Sequence, residues 1–145
     1  MTDNTLTQLL KNGENFYIEF KREYISNNEL SKETVAFANA EGGNIFFGVN
    51  DFGEIVGVPL ESGKEEQILS VLRNNCYPAI DCDIKWLKID DKYILQLDIK
   101  KGKFKPYSTK DGDFYIRVGS TKRKASKEEL TRLLQSGGYF QFDNL

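Results

Sequence analysis

Residues 37–58 read Phe-Ala-Asn-Ala-Glu-Gly-Gly-Asn-Ile-Phe-Phe-Gly-Val-Asn-Asp-Phe-Gly-Glu-Ile-Val-Gly-Val. This stretch decides the fold, because a helix end, a strand and a turn follow one another in it. Leu30, Thr34, Phe37 and Ala38 fall on one helix face, and Gly42-Gly43 stops that helix. Ile45-Phe46-Phe47-Gly48-Val49 is almost continuously apolar, which predicts a central strand covered on both faces. Asn50-Asp51-Phe52-Gly53 is a turn with glycine where a positive φ is wanted, predicting a hairpin onto a strand at Glu54–Val58. Asp51 stands at its tip.

Towards the N-terminus, Leu6, Leu9 and Leu10 keep helical spacing, Thr5 and Gln8 form a candidate capping box, and Gly13 is a helix stop. Phe16–Lys21 alternates, predicting a strand with Phe16, Ile18 and Phe20 turned inward and Tyr17, Glu19 and Lys21 displayed on the other face. Towards the C-terminus, Ile68, Val71, Leu72 and Cys76 mark a third helix, closed by Pro78. Strands at Asp83–Ile89 and Lys92–Ile99 flank a turn at Asp90-Asp91; a lysine-rich loop and a strand at Asp113–Val118 follow. Ser126 and Glu129 form a capping box for a last helix that buries Leu130, Leu133 and Leu134. This order predicts an α+β fold, a mixed β-sheet with flanking helices, in one domain over residues 1–138. Residues 139–145, with Tyr139, Phe140 and Phe142, read as an apolar-tipped tail.

The chain of 145 residues has two cysteines and no histidine. A structural zinc site on one chain is thereby excluded, as are Ser-His and Cys-His catalysis. No apolar run approaches the roughly 20 residues that span a bilayer, so no membrane association is expected. Met1-Thr2-Asp3-Asn4 lacks the pattern of a signal peptide, and Cys76 and Cys82 read as reduced thiols, so a cytoplasmic protein is expected.

The net charge of −2 hides an asymmetry. Residues 1–99 carry 9 Lys and Arg against 17 Asp and Glu, whereas residues 100–127 carry 10 against 2. The positive segment comprises Lys100, Lys101, Lys103 and Lys105, then Lys122, Arg123 and Lys124. Such a run is either a solvated loop or a surface for phosphates. Phe104 and Tyr107, interleaved with Lys103 and Lys105, either stack bases or pack the end of a strand. Arg117 reads equally as a core-edge arginine and as a phosphate contact.

Three acids, Glu14, Glu19 and Asp51, flank the first strand and the hairpin turn, and carboxylates are the ligands a hard divalent cation takes. Two of them have a plainer reading as well. Glu19 could be a solvated strand residue paired with Lys21 or Arg22, and Asp51 a turn former. Gly42-Gly43 is no phosphate-binding loop, since it follows a helix instead of opening one.

The chain resembles the Schlafen AlbA-type domain, a family associated with nucleic-acid binding in bacterial and archaeal regulators and in animal Schlafens. Gly13-Glu14, Glu19-Phe20-Lys21, Ala36-Phe37-Ala38-Asn39, Gly42-Gly43, Gly48-Val49-Asn50-Asp51, Gly57-Val58, Lys105-Pro106 and Tyr115-Ile116-Arg117-Val118-Gly119-Ser120 carry the resemblance, in order. It implies an endoribonuclease acting on structured RNA such as tRNA, with Glu14, Glu19 and Asp51 holding a divalent cation, expected to be Mg²⁺ or Mn²⁺; Lys21, on the strand face of Glu19, is then placed to counter charge on the phosphorane. Lys21, Arg22, Lys100, Lys101, Lys103, Lys105, Arg117, Lys122, Arg123 and Lys124 are then the nucleic-acid contacts, reading A-form RNA by its backbone and shape. The alternative is a non-catalytic DNA- or RNA-binding module of a transcriptional regulator. Animal Schlafens carry two copies of the domain and a Cys/His zinc motif; one copy here implies a homodimer, and the motif is missing.

Overall fold

In the computed structural model, which describes residues 3–137, the chain runs α1 (Asp3–Lys11), β1 (Ile18–Lys21), α2 (Asn27–Asn39), β2 (Gly43–Phe47), α3 (Lys64–Asn74), β3 (Cys76–Tyr77), β4 (Cys82–Ile89), β5 (Lys92–Ile99), β6 (Ser108–Thr109), β7 (Tyr115–Val118), β8 (Thr121–Lys124) and α4 (Lys127–Ser136). The main sheet has the order β1-β2-β5-β4, with β1 parallel to β2 and the other pairs antiparallel. Two small ribbons, β3-β6 and β7-β8, complete the fold. The expected α+β architecture with a mixed sheet is the one observed.

The apolar run of β2 explains the layering. Ile45 and Phe47 face α2 and α3 in a core with Phe37, Leu72, Leu95, Leu97 and Ile99. Phe46 faces the other way, into a second core that α1 closes with Leu6 and Leu10 over Ile18, Phe20 and Ile94. Period-2 alternation of a strand buried on both sides produces this arrangement. Gly13, at φ +81°, ends α1 with its N–H on Leu10 O. Gly42 is required for a different reason: a Cβ there would stand 2.6 Å from Ile99 O. Asn39 ties the end of α2 to two later segments, donating to Tyr107 O and Tyr115 O and accepting from Tyr107 N.

Several expectations are corrected. The first strand begins at Ile18, because Asn15 and Ile18 pair across a tight turn that takes up Phe16 and Tyr17. Residues Glu54–Val58 form no strand beyond a single bridge, Val49 to Ile55; Val56 N and Gly57 N both turn onto Gly48 O. The third helix ends at Asn74, leaving Cys76 in β3. The first helix starts at Asp3, so Thr5 lies inside it instead of capping it. Ser126 and Glu129 do form their capping box, but α4 leaves Leu130, Leu133 and Leu134 only half-buried. The strand β8 was not expected. The apolar-tipped tail, residues 139–145, lies outside the described residues.

Candidate acidic pocket and nucleic-acid interface

The site starts from Arg117 on β7. Its side chain is fully buried, and its guanidinium reaches across to the segment before β1. Nε donates to Phe16 O at 3.1 Å, Nη2 to Asn15 O at 2.8 Å and to Ile18 O at 3.1 Å, and Nη1 to Glu19 Oε1 at 2.8 Å. Its other face lies over the Phe37 ring, 4.4 Å from the centroid. Four of the five guanidinium N–H groups are used this way, and the side chain is closed off from solvent and so from a phosphate. Arg117 is thus a structural clamp, not the nucleic-acid contact expected.

Glu19 is correspondingly half-buried instead of displayed. With Glu14, Lys21, Glu33, Ser120, Thr121 and Lys122 it lines an open pocket. Glu14 Oε2 accepts from Phe20 N at 2.9 Å. Lys21 Nζ lies 3.5 Å from Glu19 Oε2 and 3.1 Å from Glu33 Oε2. Lys122 Nζ, from β8, lies 2.9 Å from Glu33 Oε1 and 3.4 Å from Glu29 Oε2. Burial lifts Glu19 to about 7, helped by the charge of Glu33 and a hydrogen bond with Glu14, while Arg117 opposes the shift. Near neutral pH this carboxyl can both donate and accept a proton. Lys122 is held above its ordinary value: burial works against its charge, but Glu33 and Glu29 outweigh it.

Glu33, with 2% of its side chain exposed, is the residue the sequence reading missed. Its signal was present: with Leu30, Thr34 and Phe37 it completes the i, i+3, i+4, i+7 stripe of α2, a carboxylate on a helix face that is otherwise core.

Asp51 does not line this pocket. It is exposed in a turn that its neighbour builds: Asn50 Oδ1 accepts from Phe52 N at 3.0 Å and Glu54 N at 2.9 Å, and Asn50 Nδ2 donates to Glu54 Oε1. Among the described residues, no group of three or more His, Cys, Asp or Glu side chains is placed to hold a metal ion. The donor chemistry of Glu14, Glu19 and Asp51 suits a hard cation, but this arrangement gives no three-carboxylate centre, with Glu19 turned onto Arg117 and Lys21.

The basic residues divide into two sets. Most of them are matched by acids: Lys100 by Asp83 and Asp98, Lys101 by Glu41, Lys124 by Asp113, and Arg123 by both oxygens of Glu129 at 2.7 Å. The acidic and basic halves of the sequence thus interleave in space. Among the described residues, Arg22, Lys103 and Lys105 make no ion pair. Lys103 and Lys105 bracket Phe104, which is 62% exposed. Burial and the neighbouring Lys101 hold Lys105 below the ordinary lysine value.

The chain belongs to the Schlafen, AlbA_2 family, whose model matches residues 14–126. No curated protein matches it at a significant level. A crystal structure of a protein from Corynebacterium diphtheriae is similar in fold, with a TM-score of 0.63 at 19% identity over 83% of this chain. The chain spans only 24% of that protein. A solution structure of the N-terminal domain of a protein from Nitrosomonas europaea, described as related to the ATP-dependent DNA helicase RecG, gives a TM-score of 0.61 at 22% identity. That match covers 87% of this chain and 94% of the other.

Proposed function

We propose that this domain binds nucleic acid and that the loop Lys100–Lys105 is its contact with the phosphate backbone. The observation that carries the reading is the free charge of that loop: Lys103 and Lys105 make no ion pair among the described residues and flank an exposed aromatic ring. Family membership and the likeness to a domain of a helicase-related protein support it. Arg22, also exposed, is a further candidate contact. Fluorescence anisotropy with labelled RNA and DNA, single- and double-stranded, over a salt titration tests the reading. Binding that weakens steeply with salt is the expected result; no binding at low salt refutes it. A homodimer would join two such faces into a longer groove, and light scattering decides that point.

The second reading is cleavage of structured RNA such as tRNA, with Mg²⁺ or Mn²⁺ as cofactor. It is favoured by Glu14, Glu19 and Lys21 lining one pocket, joined by Glu33. Incubation with tRNA, with Mn²⁺ or with EDTA, beside Glu19→Gln tests it. Cation-dependent cleavage lost in the variant supports an endoribonuclease; intact tRNA under all conditions favours a non-catalytic DNA- or RNA-binding module.

A further inference from the structure

We propose that the pocket behind the Lys100–Phe104 loop takes one unstacked nucleobase of a single-stranded nucleic acid, with that nucleotide's phosphate on Lys103. The inference rests on the nucleic-acid reading above and adds to it the form of the strand and the place where a base is held.

The pocket has a volume of about 280 Å³. That is near the lower end of ligand sites, which run from about 300 to 1,000 Å³. It suits one heteroaromatic ring better than a helix or a strand. Pro78 and Ile80 supply apolar wall, and the buried Tyr107 and the exposed Phe104 line it too. The loop that closes it is built to one shape. Gly102 N–H donates to Ala38 O at 2.9 Å. A Cβ at Gly102 would meet the Tyr107 ring and would come within 2.6 Å of Ala38 O, so only glycine fits. Tyr107 Oη accepts from Lys103 N at 3.1 Å and Phe104 N at 3.3 Å, which fixes the loop before any ligand arrives.

The lining chemistry matches a nucleotide group by group. The exposed face of Phe104 is a stacking surface, available to any base. The Tyr107 oxygen takes two N–H groups, and its own proton remains to be donated to a ring nitrogen or carbonyl. Asp81, also on the lining, brings an acceptor for an exocyclic amine. Lys103 carries the cation that meets a phosphate, since Lys100 and Lys101 already face Asp83, Asp98 and Glu41. Phe104 offers a stacking face and Tyr107 a hydrogen-bonding hydroxyl, which an aliphatic carboxylate would leave unused, so a base-bearing anion is the better fit than an acidic peptide. Duplexes keep their bases stacked and cannot fill such a pocket, so a single strand is the form that uses it.

The test uses the full chain in anisotropy with a labelled single-stranded oligonucleotide and with the duplex of the same sequence, and AMP as competitor. Phe104→Ala is the main variant; its side chain is exposed, so truncation leaves the fold in place. Phe104→Ala is expected to weaken the single strand by about 5–150-fold, the range of one lost base–aromatic stack, and to leave the duplex nearly unchanged, with Phe104→Trp retaining affinity. Equal losses for strand and duplex, or no loss for either, overturn the pocket while the nucleic-acid reading stands. AMP competing as tightly as the oligonucleotide, per molecule, overturns the assignment to a strand in favour of a free nucleotide. Absence of binding to every nucleic acid overturns both this proposal and the reading beneath it.

Discussion

Arg117 Nη1 and Glu19 Oε1, 98 residues apart in sequence, meet at 2.8 Å and lock the β7 ribbon onto β1. The same guanidinium collects three backbone carbonyls, so one side chain holds the turn at Asn15–Ile18 in place. Removing the guanidinium strips three backbone carbonyls and the Glu19 carboxyl of the same buried partner. Arg117→Ala should therefore cost about 3–5 kcal/mol, read as a drop in the urea midpoint. An unchanged midpoint with lost nucleic-acid binding would return Arg117 to the binding surface.

The pH dependence follows from Glu19. Its folded value, about 7, lies above the ordinary 4.5, so over that interval the folded protein holds a proton that the unfolded chain has released. The stability this group contributes is complete below about 4.5 and is lost as pH rises through about 7. Urea midpoints of the wild type should fall between about pH 5 and about pH 8, and Glu19→Gln should flatten that decline. Parallel profiles for the two proteins would rule out Glu19 as its source.

Gly42 is tested by a single methyl group. At φ +77° an alanine costs about 1–2 kcal/mol from backbone strain alone, and its Cβ would press on Ile99 O. Gly42→Ala should lower the thermal midpoint clearly, whereas Gly63→Ala, with a similar φ but open space around it, should lower it less. Equal shifts would mean that the close approach contributes nothing.

Arg123 separates sequence charge from available charge. From β8 it is fixed on both oxygens of Glu129, the carboxylate of the α4 capping box. Arg123→Ala should leave nucleic-acid affinity within about twofold and barely move the urea midpoint, as expected for a solvent-screened exposed pair. A large loss of affinity with the fold intact would show that Arg123 leaves Glu129 for a phosphate.

What the sequence made legible were the elements with a strong period. The alternation of Phe16–Lys21 and the apolar run Ile45–Val49 located β1 and β2, and the leucines located the helices. Glu54–Val58 misled because Ile-Val-Gly-Val has strand composition, while Gly57, at φ +80°, wraps the backbone onto Gly48. Thr121–Lys124 hid β8 because a solvated edge strand of charged residues has no alternation to read; pairing with β7 creates it. In the site, neighbours along one strand were readable: Glu19 and Lys21 do share a face. Contacts made only by tertiary packing are not, which is why the sequence leaves Arg117 open between core edge and phosphate contact, gives Glu33 no partner, and sets Asp51 beside acids whose pocket it does not line.

The most direct measurement of the central claim is the salt dependence of nucleic-acid affinity in the variant Lys103→Gln with Lys105→Gln. Each phosphate contact adds about 0.7–0.9 to the slope of log affinity against log salt, so losing two should flatten it by about 1.4–1.8 and weaken binding at low salt. A slope and an affinity equal to those of the wild type would contradict the assignment of the phosphate contact to the Lys100–Lys105 loop.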